Sequence, residues 1–163
     1  MATLDNWVRE FLSERRYAAL ATHNGDGSIH VTPVWYLFES EKFYVGSSSL
    51  SRKARNVLAR PNATILVDAR KPGTECWVYA SGNCEILMNA ESREITSRIL
   101  HRYLTVEAMS DPRIGPGFEA ADDITICLDP LTWRTWRASD VDEQFFGGVL
   151  GGSPRKWFRP AEE

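Results

Sequence analysis

The sequence predicts a mainly β domain, a compact antiparallel barrel with helices at its periphery. Three observations support this fold class. Six or seven segments have strand character, turn motifs join most of them as hairpins, and only two or three segments show helical periodicity. The 163 residues, 43% of them hydrophobic, suffice for one hydrophobic core. We expect one barrel domain over residues 1–137 and a tail over residues 138–163 that docks on the barrel or on a partner subunit.

The first half of the chain predicts a helix and two hairpins. Apolar residues at helical spacing indicate an amphipathic helix that begins near Thr3 and fades at Arg15. A strand over 17–22 and a return strand over 29–38 flank the turn motif Asn24-Gly25-Asp26-Gly27. Proline cannot donate to a sheet, so Thr32-Pro33 should lie at an edge or bulge and leave backbone groups free for a ligand. A second turn, 39–41, leads into a strand over 42–46.

The second half adds strands, a helix and an aromatic tail. We expect a buried strand over 63–68 and a long strand over 76–88, in which Trp77 and Tyr79 share the less apolar face. A helix should span 91–104, and an irregular segment rich in glycine and proline follows over 105–121. The last two strands, 124–128 and 133–137, should form a hairpin around Asp129-Pro130-Leu131-Thr132.

The segment Ser47 to Asn56 predicts an anion site. A strand ends at Gly46, and apolar spacing indicates a short helix that stops at Pro61, with Ser49 or Ser51 as its N-cap. Unpaired amides at a helix start, serine hydroxyls and the side chains of Arg52 and Lys53 would together bind phosphate. The simpler alternative is that these cations form only the solvated face of a helix. A P-loop and a Gly-x-Gly-x-x-Gly motif are both absent from the sequence.

Composition limits the partners and the compartment. The net charge of −3 and the lack of a basic stripe argue against nucleic-acid binding. The sequence has no signal-peptide pattern and no apolar run long enough for a membrane span, which predicts a cytoplasmic protein without membrane contact. Cys76, Cys84 and Cys127 lack Cys-x-x-Cys spacing, so we expect buried free thiols and no metal site.

Several short motifs, in their order and spacing, resemble one known family. They are Ala19-Leu20-Ala21-Thr22, Gly27 to Trp35, Ser51 to Val57, Arg60-Pro61-Asn62-Ala63 and Gly82. The chain resembles the pyridoxamine 5'-phosphate oxidase-like FMN-binding split β-barrel family, which includes flavin-dependent and deazaflavin (F420)-dependent oxidoreductases. The resemblance runs from about Tyr17 to Met88, and more loosely to Arg137. It implies a split barrel of the antiparallel Greek-key type.

The resemblance also implies a cofactor site at a homodimer interface. The family's phosphate-binding serine, arginine and lysine match Ser51, Arg52 and Lys53. The isoalloxazine ring would lie against the second strand and against the end of the third, and the partner subunit would add contacts from the long strand. The matching residues are Thr32, Pro33, Val34 and Trp35, then Gly46, Ser47 and Ser48, and from the partner's long strand Trp77, Val78 and Tyr79.

The function implied is an oxidoreductase that uses FMN or F420 to transfer hydride to a small planar unsaturated acceptor. The arginine that true pyridoxamine phosphate oxidases carry on the second strand is absent, and so is their C-terminal arginine and histidine pattern, so the vitamin B6 reaction is not expected. The polar residues Tyr36, Tyr79 and His30 are expected to be structural, and no acid or base is assigned. The alternative is a non-catalytic protein that sequesters a flavin or a tetrapyrrole.

Overall fold

A computed structural model describes residues 4–159 and contains one seven-stranded antiparallel sheet. The strands are β1 (Ala18–His23), β2 (Ile29–Val34), β3 (Leu37–Glu39), β4 (Lys42–Ser47), β5 (Asn62–Ala69), β6 (Cys76–Leu87) and β7 (Ile124–Arg137). Their order in the sheet is β2-β1-β5-β6-β7-β4-β3. The sheet curls into a half-barrel with helices on its periphery, which confirms the predicted split-barrel class.

Eight helical segments surround the sheet within the described residues. They are α1 (Asn6–Ser13), α2 (Arg52–Ala59), α3 (Asn89–Tyr103), α4 (Val106–Ser110), α5 (Gly115–Ala121), α6 (Ala138–Phe146), α7 (Val149–Gly152) and α8 (Pro154–Trp157). The first helix begins at Asn6, and Thr3, near which its start was predicted, lies outside the described residues. None of the helices in residues 4–159 has the length and apolar character needed to cross a membrane.

The hydrophobic core lies inside the curl of the sheet, covered by α1 and α2. Fully buried side chains from α1, β1, β5 and β7 meet there, for example Leu12, Leu20, Ile65 and Ile126. Strands β1, β4 and β5 alternate buried residues with more exposed ones over most of their length, since successive side chains of a strand point to opposite faces. The same alternation places Trp77 and Tyr79 on the outer face of β6, as the sequence predicted.

The predicted return strand 29–38 is two strands, β2 and β3, separated at Trp35 and Tyr36. Tyr36 leaves the sheet because its backbone N–H donates to the hydroxyl of Tyr103 (3.3 Å), on α3. Its side chain is fully buried and donates to the Leu12 carbonyl (3.1 Å). The prediction for Thr32-Pro33 is confirmed, since β2 is an edge strand and Pro33 lies opposite Ala19.

The predicted hairpin around residues 129–132 is wrong, because β7 continues through these residues for 14 positions. The ladder with β6 shifts register instead, since Ser81 opposes Thr132 while Gly82 opposes Pro130. Leu131 is the extra residue of this β-bulge and is 71% exposed. Gly82 permits the close approach, since a Cβ atom there would lie 2.0 Å from the Asp129 carbonyl oxygen.

The segment 105–121 contains two short helices, α4 and α5, where the sequence predicted irregular structure. Thr105 caps α4 by accepting a hydrogen bond from the Ala108 amide (3.1 Å). Pro116 near the start of α5 suits a first helical turn, whose N–H groups have no intrahelical acceptor. Glycine and proline therefore mark the boundaries of these helices.

The tail is helical and contacts the loop between β5 and β6. Ala138 donates its amide to the Glu75 carbonyl (2.8 Å), and Pro154 packs against Gly73. Within the tail, the buried Asp142 carboxylate accepts hydrogen bonds from the amides of Leu150 (3.0 Å) and Gly151 (2.6 Å). These contacts connect the tail to the barrel of its own chain as far as Pro154.

Candidate functional site

The candidate site is an open cleft of about 350 Å³ at the gap in the half-barrel. Strands β2 and β4 approach each other there, although they lie near opposite ends of the sheet order. The cleft brings together five of the predicted site residues. They are Pro33, Val34, Trp35, Gly46 and Lys53. Its volume lies within the range of about 300–1,000 Å³ that is usual for small-molecule sites.

The start of α2, which Ser51 caps, contributes Lys53 to the lining of the cleft. The Ser51 hydroxyl accepts a hydrogen bond from the Ala54 amide (3.2 Å) and lies 2.9 Å from the buried Ser47 hydroxyl. The structure thus selects Ser51 over Ser49 as the N-cap. The Ser48 hydroxyl accepts from the Leu50 amide (3.2 Å). These hydroxyls shape the loop, and the amides of the first turn are the groups that a helix start leaves for a ligand.

The two predicted phosphate-binding cations point to different places. Lys53 is half-buried and lines the cleft. Arg52 is exposed and lies near the β1–β2 turn. The pKa of Asp26 in that turn is lowered mainly by hydrogen bonds from Ser28, and the positive charge of Arg52 lowers it further. The ion pairs of residues 4–159 involve neither cation. Lys53 is therefore the cation positioned for a ligand in this cleft.

Four aromatic residues, here called the cleft aromatic cluster, pack at one wall of the cleft, which all of them but Tyr103 line. They are Tyr17, Trp35, Tyr103 and Phe118. Trp35 stacks on Tyr103 with ring centroids 5.0 Å apart and planes 2° apart, and Phe118 stacks on Trp35 at 5.9 Å. The Tyr103 hydroxyl fixes this wall to the barrel by donating to the Arg16 carbonyl and accepting from the Tyr36 amide. This aromatic wall is mainly apolar, which suits contact with a planar ring.

The remaining predicted residues lie outside the lining of this single-chain cleft. Thr32 is half-buried on the edge strand β2. Trp77 and Tyr79 lie on the outer face of β6, where hydrogen bonds with Thr64 and then Ser81 lower the pKa of Tyr79. The Val78 side chain is only 1% exposed and packs in the core, so it is not available to a ligand. Contacts from a partner's Trp77, Val78 and Tyr79 stay a prediction.

Sequence reasoning missed several lining residues, foremost Tyr17, Phe118 and Asp122. Phe118 and Asp122 come from α5 and from the residue that follows it, in the segment predicted to be irregular. The available signal was the pair Asp122-Asp123 directly before a predicted strand. That strand pairs with β4, with Ile124 opposite Ser47, so the two carboxylates lie beside the serine loop.

The two carboxylates have opposite pKa shifts. The Asp123 carboxylate accepts hydrogen bonds from the Ser49 hydroxyl and amide, each 2.6 Å long, and these bonds lower its pKa. Burial raises the pKa of Asp122, the positive charge of Lys53 partly offsets that rise, and Asp123 adds to it. The Asp122 carboxyl group thus lines the cleft together with Lys53.

The cysteines and the buried tyrosine have structural positions. The three cysteines are free, and burial raises the pKa of Cys84 to about 12 and of Cys127 to about 11. Both thiols are therefore protonated and unreactive at neutral pH. Burial also raises the pKa of Tyr36, whose hydroxyl is bonded to Leu12. These groups belong to the barrel interior and do not line the cleft, so they are not available to a molecule bound there.

The family is decided by comparison with known proteins. A family model for pyridoxamine 5'-phosphate oxidase matches residues 4–137, which is most of the chain. The chain belongs to the pyridoxamine 5'-phosphate oxidase family. The matched region ends where the barrel ends, so α6 to α8 lie outside it. None of the curated protein sequences matches this family member.

Solved structures with diverse descriptions share this family fold. A conserved hypothetical protein from Mycobacterium tuberculosis is 20% identical over 86% of this chain and 89% of its own, with a TM-score of 0.70. An F420 reductase is 21% identical over 81% and 98%, with a TM-score of 0.64. A heme storage protein from Vibrio cholerae is 18% identical over 82% and 94%, with a TM-score of 0.60. At these identities the likeness shows the fold alone.

Proposed function

We propose that this protein is a cytoplasmic oxidoreductase that binds FMN or F420 in the cleft and transfers hydride to a small planar unsaturated acceptor. One observation carries the proposal. A lysine at a helix start and an aromatic wall line the same cavity, in a chain of the pyridoxamine 5'-phosphate oxidase family. Such a cavity matches a ligand with a phosphate group at one end and a planar ring at the other. The free thiols suit a reducing compartment.

Lys53 and the first amides of α2 would hold the phosphate group. The amides point out of the helix start, and the helix dipole adds partial positive charge there. Lys53 contributes a full charge from the wall of the cleft. Charge-assisted hydrogen bonds of this type contribute roughly 1.5–3 kcal/mol each. Loss of the lysine alone should therefore weaken binding measurably.

The β2 end of the cleft would orient the ring. An edge strand leaves every second pair of backbone groups without a partner in the sheet, and Pro33 interrupts the donors on β2. The cleft aromatic cluster offers an apolar surface and excludes water from one side. A bound flavin or deazaflavin supplies the hydride chemistry itself. The role of these residues is to position the ring and to leave one face open to the acceptor.

The site would be completed by a second copy of the chain. The outer face of β6 and β7 presents Trp77, Tyr79 and Trp136, and the exposed Leu131 of the bulge lies near it. Aromatic side chains on an exposed sheet face favour association. We propose a homodimer through this face. Sedimentation of the wild-type chain and of Trp136→Glu should give a dimer and a monomer respectively, and a monomeric wild type would contradict the proposal.

The non-catalytic alternative differs in its ligand chemistry. Tetrapyrrole iron requires an axial ligand, most often histidine. The described lining of the cleft contains none of His23, His30 and His101. A purified protein with a Soret band would nevertheless favour this alternative. A flavin-type or deazaflavin-type spectrum without turnover of any acceptor would favour sequestration.

The decisive experiment is fluorescence titration of the purified chain with FMN and with F420. We expect binding of at least one of them, and Lys53→Ala should weaken it about tenfold or more. Arg55→Ala, which removes the same charge from an exposed position on the same helix, is the matched control and should change FMN affinity less than about twofold. Equal effects of the two variants would remove Lys53 from the site, and binding of neither ligand would overturn the proposed function.

A further inference from the structure

The anion loop of this protein faces acidic residues as well as cations. Strand β7 pairs with β4 so that Ile124 lies opposite Ser47 and Thr125 opposite Gly46. The residues just before β7, Asp122 and Asp123, therefore lie against the loop that leads into α2. Of the two cations that begin the helix, Lys53 shares the cleft with one of these carboxylates, Asp122, and Arg52 does not line it. Positive and negative side chains therefore lie close together at this loop.

Asp123 has a structural role in this arrangement. Its two oxygens each accept a hydrogen bond from Ser49, one from the amide and one from the hydroxyl, both 2.6 Å long. Ser49 is exposed, so this contact holds the loop against β7 from the outside. Asp123 therefore keeps the loop in place and occupies the Ser49 amide and hydroxyl donors.

Asp122 lies inside the cleft, where a ligand has to pass. It lines the same cavity as Lys53 and Gly46. A Cβ atom on Gly46 would come within 2.7 Å of the Asp122 Oδ2 atom, so the carboxylate lies directly over the backbone of Gly46. The Lys53 charge and the Asp122 carboxyl are also close enough to influence each other electrostatically. A phosphate group held by Lys53 would therefore be a near neighbour of the Asp122 carboxylate.

We propose that Asp122 selects ligands by phosphate charge, so that the cleft prefers a singly charged phosphodiester to a doubly charged phosphomonoester. This inference rests on the proposed function. A phosphomonoester such as that of FMN carries about 1.5 to 2 negative charges at pH 7. The phosphodiester of F420 carries one. Because Coulomb repulsion scales with the product of the charges, the monoester is repelled by Asp122 up to about twice as strongly at the same distance.

The test compares ligand pairs across two charge-removing variants at pH 7.5. FMN, F420 and phosphate-free riboflavin are titrated into wild type, Asp122→Asn and Glu119→Gln. Glu119 lies on α5 and lines the neighbouring cavity without lining the cleft, so it controls for a general loss of negative charge. Thermal unfolding of each variant verifies that it is folded.

We expect the wild type to bind F420 more tightly than FMN. Asp122→Asn should improve FMN affinity about tenfold and F420 affinity about threefold, with riboflavin unchanged and Glu119→Gln like wild type throughout. An FMN-to-F420 affinity ratio that Asp122→Asn leaves unchanged would overturn this inference and leave the proposed function in place. A wild type that binds neither FMN nor F420 would remove both together.

Discussion

Two aromatic clusters meet at consecutive residues of this barrel and serve different purposes. The core aromatic cluster contains Tyr36, Phe38, Phe43 and Trp133, and the cleft aromatic cluster contains Tyr17, Trp35, Tyr103 and Phe118. Tyr36 and Phe43 are fully buried, whereas Tyr17 is 67% exposed and Phe118 is 36% exposed. The difference shows that aromatic side chains of the core cluster stabilise the fold, whereas those of the cleft cluster leave apolar area exposed beside the cleft.

The largest effect should come from the core cluster. Phe43→Ala removes a ring that packs against Tyr36, Phe38 and Trp133, with centroids 4.9 to 5.8 Å away. We expect the free energy of unfolding to fall by about 3–5 kcal/mol, since the change leaves a cavity in a close-packed core. Urea denaturation measures this loss. A loss below about 1 kcal/mol would mean that Phe43 is not the centre of this cluster.

Tyr103→Phe tests the link between the two clusters. The Tyr103 hydroxyl bonds to the Tyr36 amide and the Arg16 carbonyl, while its ring stacks on Trp35. Removing only the hydroxyl should cost about 1–3 kcal/mol, because partly buried backbone groups lose their partner. The stack should persist, so the emission maximum of tryptophan fluorescence should change little. Full stability of this variant would show that water replaces the hydroxyl at no cost.

Phe118→Ala makes the same chemical change as Phe43→Ala, but in the cleft cluster. Because Phe118 is only partly buried and alanine favours the helix, we expect a stability loss of about 1 kcal/mol. The free energy of FMN or F420 binding should change by more than the free energy of unfolding does, since the variant alters the wall of the cleft. Equal stability losses in Phe43→Ala and Phe118→Ala would break the distinction between the clusters.

The smallest effect concerns pH and Asp122. Burial raises the pKa of Asp122 above its ordinary value of 3.8, so the folded chain binds this proton more tightly than the unfolded chain. Stability contributed by this group therefore falls as pH rises from about 3.8 through the raised pKa, and stays lower above it. Asp122→Asn should thus be more stable than wild type at pH 7, and this advantage should shrink as the pH approaches 4. Denaturation curves at several pH values measure it, and an advantage that grows toward low pH would contradict the assigned shift.

The sequence predicted the elements that local patterns encode. Hairpin turns, the start of α2 at Ser49 or Ser51, the alternation of β6 and the edge position of Pro33 all depend on residues within a few positions of each other. The predicted number of strands agrees with the structure, although one predicted strand is split at Trp35 and two are joined through Pro130. Both differences arise from contacts with distant residues, Tyr103 and Gly82 respectively.

The cleft depended more on the tertiary structure. The position of Lys53 at a capped helix start was predicted, because a capped helix start with a cation is a local signal. The acidic residue of the cleft and its aromatic wall were not predicted, since Asp122 and Phe118 lie in a segment with no clear periodicity. The direction of Arg52, away from the cleft, was equally inaccessible to sequence reasoning because neighbouring helix positions differ only by their rotation about the axis.

The sequence by itself determined a mainly β barrel, the hairpins at its ends and a cation at a capped helix start. Only the tertiary structure decided which side chains share the cleft, because residues 47 and 124 become neighbours only through the β4–β7 ladder. That ladder places two carboxylates beside the loop that local sequence had marked as cationic. The charge of the site is therefore a property of strand pairing, since electrostatic interactions act through space and short sequence motifs report only their own neighbours.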